Sequence, residues 1–185
     1  MGLDVYFVVL VPVNNTQNTE QNSIKYKPLH WQDDDIVVYE ENSEDEDNSD
    51  LILDRCDGFH LLGFYKPYPL SYFLAGVAGP LSITPDGDIR KSGPHITSRR
   101  FEGKGCSGLP KETDPVVGLV LSPKKDNCVS FLVSDILKDS FDSVYTDRDD
   151  KEYNLKDYQP TKDLLEFLTR IDKDWKGGIL VVILV

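Results

Sequence analysis

The sequence predicts an α+β domain with a mixed or mainly antiparallel sheet, two or three helices, and the N- and C-terminal strands at the centre of the sheet. Three observations predict it. Val5–Val13 is a β-branched, aromatic and apolar run closed by Pro12 and the Asn14-Asn15 pair, and Ile179–Val185 is apolar at every position. Just ahead of the second run, Leu164, Leu168, Ile171 and Trp175 recur at helical spacing. A strand without a polar face has to be covered on both sides, so each terminal run is the natural neighbour of the other. The 185 residues read as one domain, 1–185, able to bury roughly 70% of its unfolded surface.

The intervening elements follow in order. Residues 14–23 are polar and turn-forming and read as a loop. Lys25–Trp31 and Ile36–Tyr39 are strand candidates, followed by an acidic loop insertion at about residues 40–50. Phe59–Tyr65 is a further strand candidate. Pro67 and Pro69 open a short helix through Leu70, Phe73, Leu74 and Val77, which Gly79 and Pro80 close. Thr84-Pro85-Asp86-Gly87-Asp88 is a turn, because Pro presets one dihedral and Gly supplies a positive φ, and it joins Leu81–Thr84 to Ile89–Lys91 as a hairpin. Residues 92–114 hold four glycines and two prolines without periodicity and read as the longest loop. Val116–Leu121 and Cys128–Val133 are strands joined through Pro123–Asn127, and Ser134 caps a helical turn. Asp139–Gln159 is acid-rich and weakly patterned, with Tyr145, Tyr153 and Tyr158 as anchors. In the last helix, Thr161 caps the start after Pro160, Lys173 and Lys176 sit at the negative end, and Gly177-Gly178 stops it.

Charge is distributed unevenly. The chain has 32 acidic and 20 basic side chains, a net charge of −12, and ten of the acids lie in the eighteen residues from Asp33 to Asp50, which contain no basic residue. Without those ten, 22 acids face 20 bases. The protein is therefore near neutral apart from one acidic segment, which argues for a local electrostatic contact and against adaptation to high salt. Ser43 and Ser49, each followed by acids, would deepen the charge if phosphorylated. Ten acids over eighteen extended residues average one per ~6 Å, against one per ~1.7 Å of duplex axis in DNA. Only Glu44-Asp45-Glu46-Asp47 reaches the density of a single strand. Imitation of a duplex would need further acids such as Asp139, Asp142, Asp147, Asp149, Asp150 and Glu152 on the same face.

The opposite pole is Arg90–Lys104, where Arg90, Lys91, Arg99, Arg100 and Lys104 face a single acid, Glu102, in a glycine-rich segment suited to phosphate or carboxylate groups. Within it, His95-Ile96-Thr97 resembles one half of the paired His-x-Thr/Ser motifs of the two-histidine (2H) phosphoesterases. That resemblance implies that His95 would act as a general acid or base with Thr97 beside it. The family carries two such motifs, and the nearest second histidine segment here, His60-Leu61-Leu62, lacks the hydroxyl residue.

Other chemistry finds little support. Cys56 and His60 have the spacing of two zinc ligands, but Cys106, His95 and His30 are scattered, so no metal site is expected. The acidic run lacks the glycine turn and closing glutamate of a calcium loop. There is no nucleophile elbow, Walker loop or dinucleotide fingerprint, so no cofactor is expected. Three widely spaced cysteines do not form a disulfide framework and point to a reducing compartment. No basic n-region precedes the first apolar run, and no apolar run approaches the ~20 residues of a membrane helix. The expected location is cytoplasmic, meaning the host cytoplasm for a viral chain.

The leading expectation is a non-enzymatic acidic protein that binds a basic protein partner, of the inhibitor, immunity or anti-defence type, with Glu40, Glu41, Glu44, Asp45, Glu46 and Asp47 as the binding carboxylates. Direct contact of that face with nucleic acid is not expected. The alternative is a phosphoesterase or nucleotide-binding module built on His95, Thr97, Arg99 and Arg100 with Arg90, Lys91 and Lys104. A third reading is a structural or virion component assembled through the terminal strand.

Overall fold

The computed structural model of the protein describes residues 5–14, 24–32, 35–40, 56, 67–75, 81–83, 89–91, 95–96, 106–107, 128–146 and 151–184. Its strands are β1 (Val5–Asn14), β2 (Ile24–Gln32), β3 (Asp35–Val38), β4 (Leu81–Ile83), β5 (Ile89–Lys91), β6 (His95–Ile96), β7 (Cys106–Ser107), β8 (Cys128–Leu132), β9 (Val144–Thr146), β10 (Glu152–Asn154) and β11 (Ile179–Leu184). The helices are α1 (Tyr68–Ala75), α2 (Val133–Ile136) and α3 (Gln159–Asp174). The chain is α+β, and its main sheet runs in the order β3-β2-β1-β11-β8-β7. Every neighbour in it is antiparallel. The two terminal strands take the central places, with Val5 opposite Leu184 and Leu10 opposite Ile179.

The burial pattern shows why they lie there. On β1, Phe7, Val9 and Val11 enter the same cluster as Leu180 and Val182 of β11, together with the buried side chains of all three helices. The alternate residues, Val8 and Leu10 with Ile179, Val181 and Ile183, form a second cluster on the opposite face, joined by Tyr39 and Cys56. Both faces of the sheet centre are dry: Val8 is 1% exposed and Val181 0%. A near-continuous apolar run is the signature of a strand buried on both faces, here in an antiparallel sheet.

On the helix face, α3 buries Leu164, Phe167, Leu168 and Ile171, while Trp175 packs partly against the cluster. The helix starts two residues before the expected cap. Tyr158 stands at the N-cap without a side-chain hydrogen bond, and Pro160 lies in the first turn. Thr161 is fully buried, and its hydroxyl has no partner among the described residues, so it does not cap the helix. At the other end, Trp175 donates its N–H to the Ile171 carbonyl at 2.8 Å, and Gly177 turns the chain at a φ of 81°. Lys176 pairs with Asp172 at 2.7 Å. Ser134 is likewise not a cap: α2 begins at Val133 with Leu132 as N-cap and no side-chain bond. Val133 leaves β8 without an intervening turn and donates its N–H to the Gly178 carbonyl at 2.9 Å. In α1, Pro69 occupies the first turn, and the buried Ser71 hydroxyl donates back to the carbonyls of Pro67 and Tyr68.

Two stretches are more ordered than their composition suggests. Within Asp139–Gln159, β9 and β10 form a hairpin that pairs Tyr153 with Tyr145. Residues 92–114 contain β6, which joins that hairpin as a third strand in the order β10-β9-β6, and β7, which pairs with β8. The predicted hairpin of β4 with β5 is present, with Ile83 opposite Ile89. The loop at 15–23, the strand candidates Phe59–Tyr65 and Val116–Leu121, Val77, the turns at 84–88 and 123–127, and the acidic insertion from 41 to 50 lie outside the described residues.

Candidate functional site

The acidic segment leaves the main sheet at its border. Strand β3 is the last in the sheet order, paired on one side with β2 through Leu29–Val38, His30–Val37, Trp31–Ile36 and Gln32–Asp35. Only residues 33 and 34, both Asp, separate the two strands in sequence, so β2 and β3 form a hairpin. The strand is held by its side chains. Ile36 is 8% exposed, and Val38 packs against the helix-face cluster with Trp31. Tyr39, just past the strand, is buried on the other face, its ring edge-on to His30 with centroids 5.4 Å apart.

The main chain at this border has a defined polarity. Tyr39 donates its N–H to the Pro28 carbonyl at 2.8 Å. Antiparallel ladders alternate between residue pairs that exchange hydrogen bonds and pairs that do not. Val37 and Asp35 therefore share the inward direction of Tyr39, whereas Ile36 and Val38 turn their N–H and C=O groups to the outer edge.

Of the six predicted binding carboxylates, Glu40 is described. It extends past β3 with 74% of its side chain exposed and meets Lys27 of β2 at 2.8 Å. Asp35, at the other end of the strand, lies 3.8 Å from Arg170 of α3. Both carboxylates are largely in solvent, so each pair contributes about 0–1 kcal/mol. Glu41, Glu44, Asp45, Glu46 and Asp47 lie outside the described residues.

The cationic candidates fall in separate elements. Arg90 and Lys91 are in β5, opposite Ser82 and Leu81, whereas His95 is in β6, opposite Thr146. These strands belong to two different small sheets. His30 lies in the main sheet, so the two described histidines are on different sheets. Thr97, Arg99, Arg100, Lys104 and His60 lie outside the described residues. Among the described residues, no three His, Cys, Asp or Glu side chains come together as a metal site. A cavity lined by Val9, Leu29, His30, Trp31, Ile36, Cys56 and Phe167 measures about 10 Å³, room for one water rather than an organic ligand. The buried Trp31 Nε1 has no hydrogen-bond partner among the described residues.

The sequence reading placed the acids and missed the edge on which they begin. A signal was present, since Asp33-Asp34 between two strand candidates is turn chemistry for a two-residue hairpin. Nothing in the local sequence says that β3 is the last strand of this sheet among the described residues. No family model, curated protein or solved structure matches the chain.

Proposed function

We propose that this protein is a non-catalytic binding protein whose acidic segment, starting at the border of the main sheet, engages a basic protein partner. The observation that carries this reading is the setting of Glu40, which leaves a strand anchored by buried Ile36 and Tyr39 with most of its carboxylate in solvent. An anchored strand followed directly by Glu41, Glu44, Asp45, Glu46 and Asp47 presents negative charge from a fixed base. Clustered carboxylates accelerate encounter with a cationic surface and disfavour anionic competitors. Nucleases, nucleic-acid-binding proteins and toxins carry such cationic surfaces, which is the basis for an inhibitor, immunity or anti-defence role in the cytoplasm.

The test replaces Glu40, Glu41, Glu44, Asp45, Glu46 and Asp47 together by Ser or Asn. Wild type and variant, immobilised at equal density, are exposed to cell extract at 50 mM and 300 mM salt, and the retained proteins are identified. Basic proteins held by the wild type at 50 mM salt should be lost from the variant and released from the wild type at 300 mM. A purified partner should bind the variant at least tenfold more weakly, with a shallower dependence on salt. Equal affinity and equal salt slope for the two proteins would refute the proposal.

A further inference from the structure

We propose that the outer edge of β3 is a strand-addition site, which takes the basic partner as an extended segment with an apolar centre and cationic ends. This rests on the acidic-edge reading above and adds the binding mode. Four main-chain groups, the N–H and C=O of Ile36 and Val38, point away from β2, and none of them has a hydrogen bond among the described residues. The strand is not free to turn them elsewhere, because Ile36 is buried and Val38 packs against the same core cluster. Protein sheets commonly blunt such an edge with Lys, Pro or a bulge. Strand β3 reads Asp-Ile-Val-Val, with neither Lys nor Pro and with three β-branched residues in a row.

Charge selects the occupant. Asp35 stands at one end of the strand and Glu40 just past the other, and in the sequence Asp33 and Asp34 precede Asp35 and Glu41 follows Glu40. Asp35 and Glu40 are about 17 Å apart along an extended chain at ~3.3 Å per residue. A second copy of this protein added through β3 would bring these acids against each other, since like charges on paired strands repel. A segment with basic residues at both ends and β-branched residues between them matches the edge. Main-chain hydrogen bonds would supply affinity and the charged ends specificity and register. Lys27 and Arg170 already hold Glu40 and Asp35 at 2.8 and 3.8 Å, and both carboxylates are largely exposed, within reach of an incoming cation.

The experiment uses the full chain and the peptide Lys-Lys-Val-Thr-Val-Thr-Lys-Lys, beside the same peptide N-methylated at alternate residues, which keeps the charge and removes the pairing N–H groups. Two variants separate main chain from side chain. Val38→Pro removes an outward N–H that takes no part in the β2 ladder, and Val38→Ala shortens the side chain but keeps the N–H. Thermal melts and far-UV spectra establish that both fold. The expected result is that wild type and Val38→Ala bind the peptide within threefold of each other, and that Val38→Pro and the N-methylated peptide each lose at least tenfold. The amides of Ile36 and Val38 should also exchange at least tenfold more slowly once the peptide is bound. Equal binding by the two Val38 variants would overturn strand addition. Slow exchange of those amides in the free monomer would show that the chain itself fills the edge, and a dimer dissolved by Val38→Pro would show that a second copy does; either overturns the proposal. If the six-carboxylate variant loses the peptide while the two Val38 variants bind alike, the acidic reading stands and strand addition falls. If the six-carboxylate variant binds as well as wild type, the acidic reading falls with it.

Discussion

Phe141 is the one described non-glycine residue with a left-handed backbone, at a φ of 50°. Its side chain is 1% exposed and meets Phe73 of α1 with ring centroids 5.4 Å apart. The Asp139 carboxylate accepts its N–H at 2.7 Å, and its carbonyl accepts the N–H of Ser143 at 2.9 Å. Local hydrogen bonds and packing thus hold a conformation that costs an L-residue roughly 1–2 kcal/mol. Phe141→Ala and Phe141→Gly both remove the ring, at about 3–5 kcal/mol, but only the glycine is released from the left-handed strain. Glycine should therefore be as stable as alanine or better, by up to about 1 kcal/mol, the reverse of their order inside a helix. Urea denaturation of the two variants measures this. An alanine variant clearly more stable than the glycine variant would show that the positive φ is not kept in solution. None of this was legible in the sequence, because Ser140-Phe141-Asp142 carries no glycine or asparagine to mark the position.

At the scale of elements, α3 and the β9–β10 hairpin differ in how far the sequence announces them. The helix was legible because its apolar residues repeat at helical spacing; beyond the predicted stripe it also buries Phe167 and, in its first turn, Pro160 and Thr161. The hairpin was not, since β9 and β10 are three residues each and lie in an acidic stretch. Tyrosine packing holds it. The rings of Tyr145 and Tyr153 lie 6.1 Å apart, those of Tyr153 and Tyr158 lie 5.9 Å apart, and the Lys151 ammonium stands 4.9 Å from the centre of the Tyr153 ring. Burial, and to a lesser degree the neighbouring Tyr153, raises the Tyr158 phenol above its ordinary pKa of 10.0. A raised native pKa means that above pH 10 the unfolded chain gives up this proton before the folded chain does. The associated stability is complete below that pH and is lost as pH rises through the native value. Melts from pH 8 to 11 should show wild type losing stability above pH 10 more steeply than Tyr158→Phe, and parallel curves would contradict the assignment. The edge strand β3 was legible as a strand, whereas its place at the border was not.

For the whole molecule, net charge would suggest strong self-repulsion and a large response to salt. The distribution argues otherwise. Ten of the acids lie close together in sequence, within eighteen residues, so their mutual repulsion is nearly as large in the unfolded chain as in the folded one. The described ion pairs, Lys27–Glu40, Asp35–Arg170, Lys138–Asp135 and Lys176–Asp172, have exposed or half-exposed members and add little that salt can remove. Raising KCl from 0.1 to 1 M should therefore change stability by less than about 1 kcal/mol, a shift in Tm of at most ~4 °C for a chain of this size. A rise of 10 °C would mean that folding brings the acidic segment against other negative surface. Central pairing of the chain ends has a further consequence, since Val5 and Leu184 come together across nearly the whole sequence. Such distant pairing implies slow folding. It also gives β11 a neighbour on each side, β1 and β8, so the terminal strand offers no open edge for assembly.

What the sequence by itself determined is local: which runs are apolar on one face or both, where proline and glycine break them, and where the acids gather. Those properties depend on residues a few positions apart, and they sufficed for the α+β class, the last helix and the central terminal strands. What only the tertiary structure decided is which strand lies at the border. Alternating residues specify the two faces of β3, whereas whether its outward N–H and C=O groups meet another strand depends on what arrives from elsewhere in the chain; among the described residues none does. Side-chain pattern carries no record of that, because every residue brings the same main-chain donor and acceptor whether or not a neighbour meets them. The acidic segment was visible at once as charge, whereas the strand it follows became a candidate binding edge only once the main-chain groups of Ile36 and Val38 were seen to point away from β2.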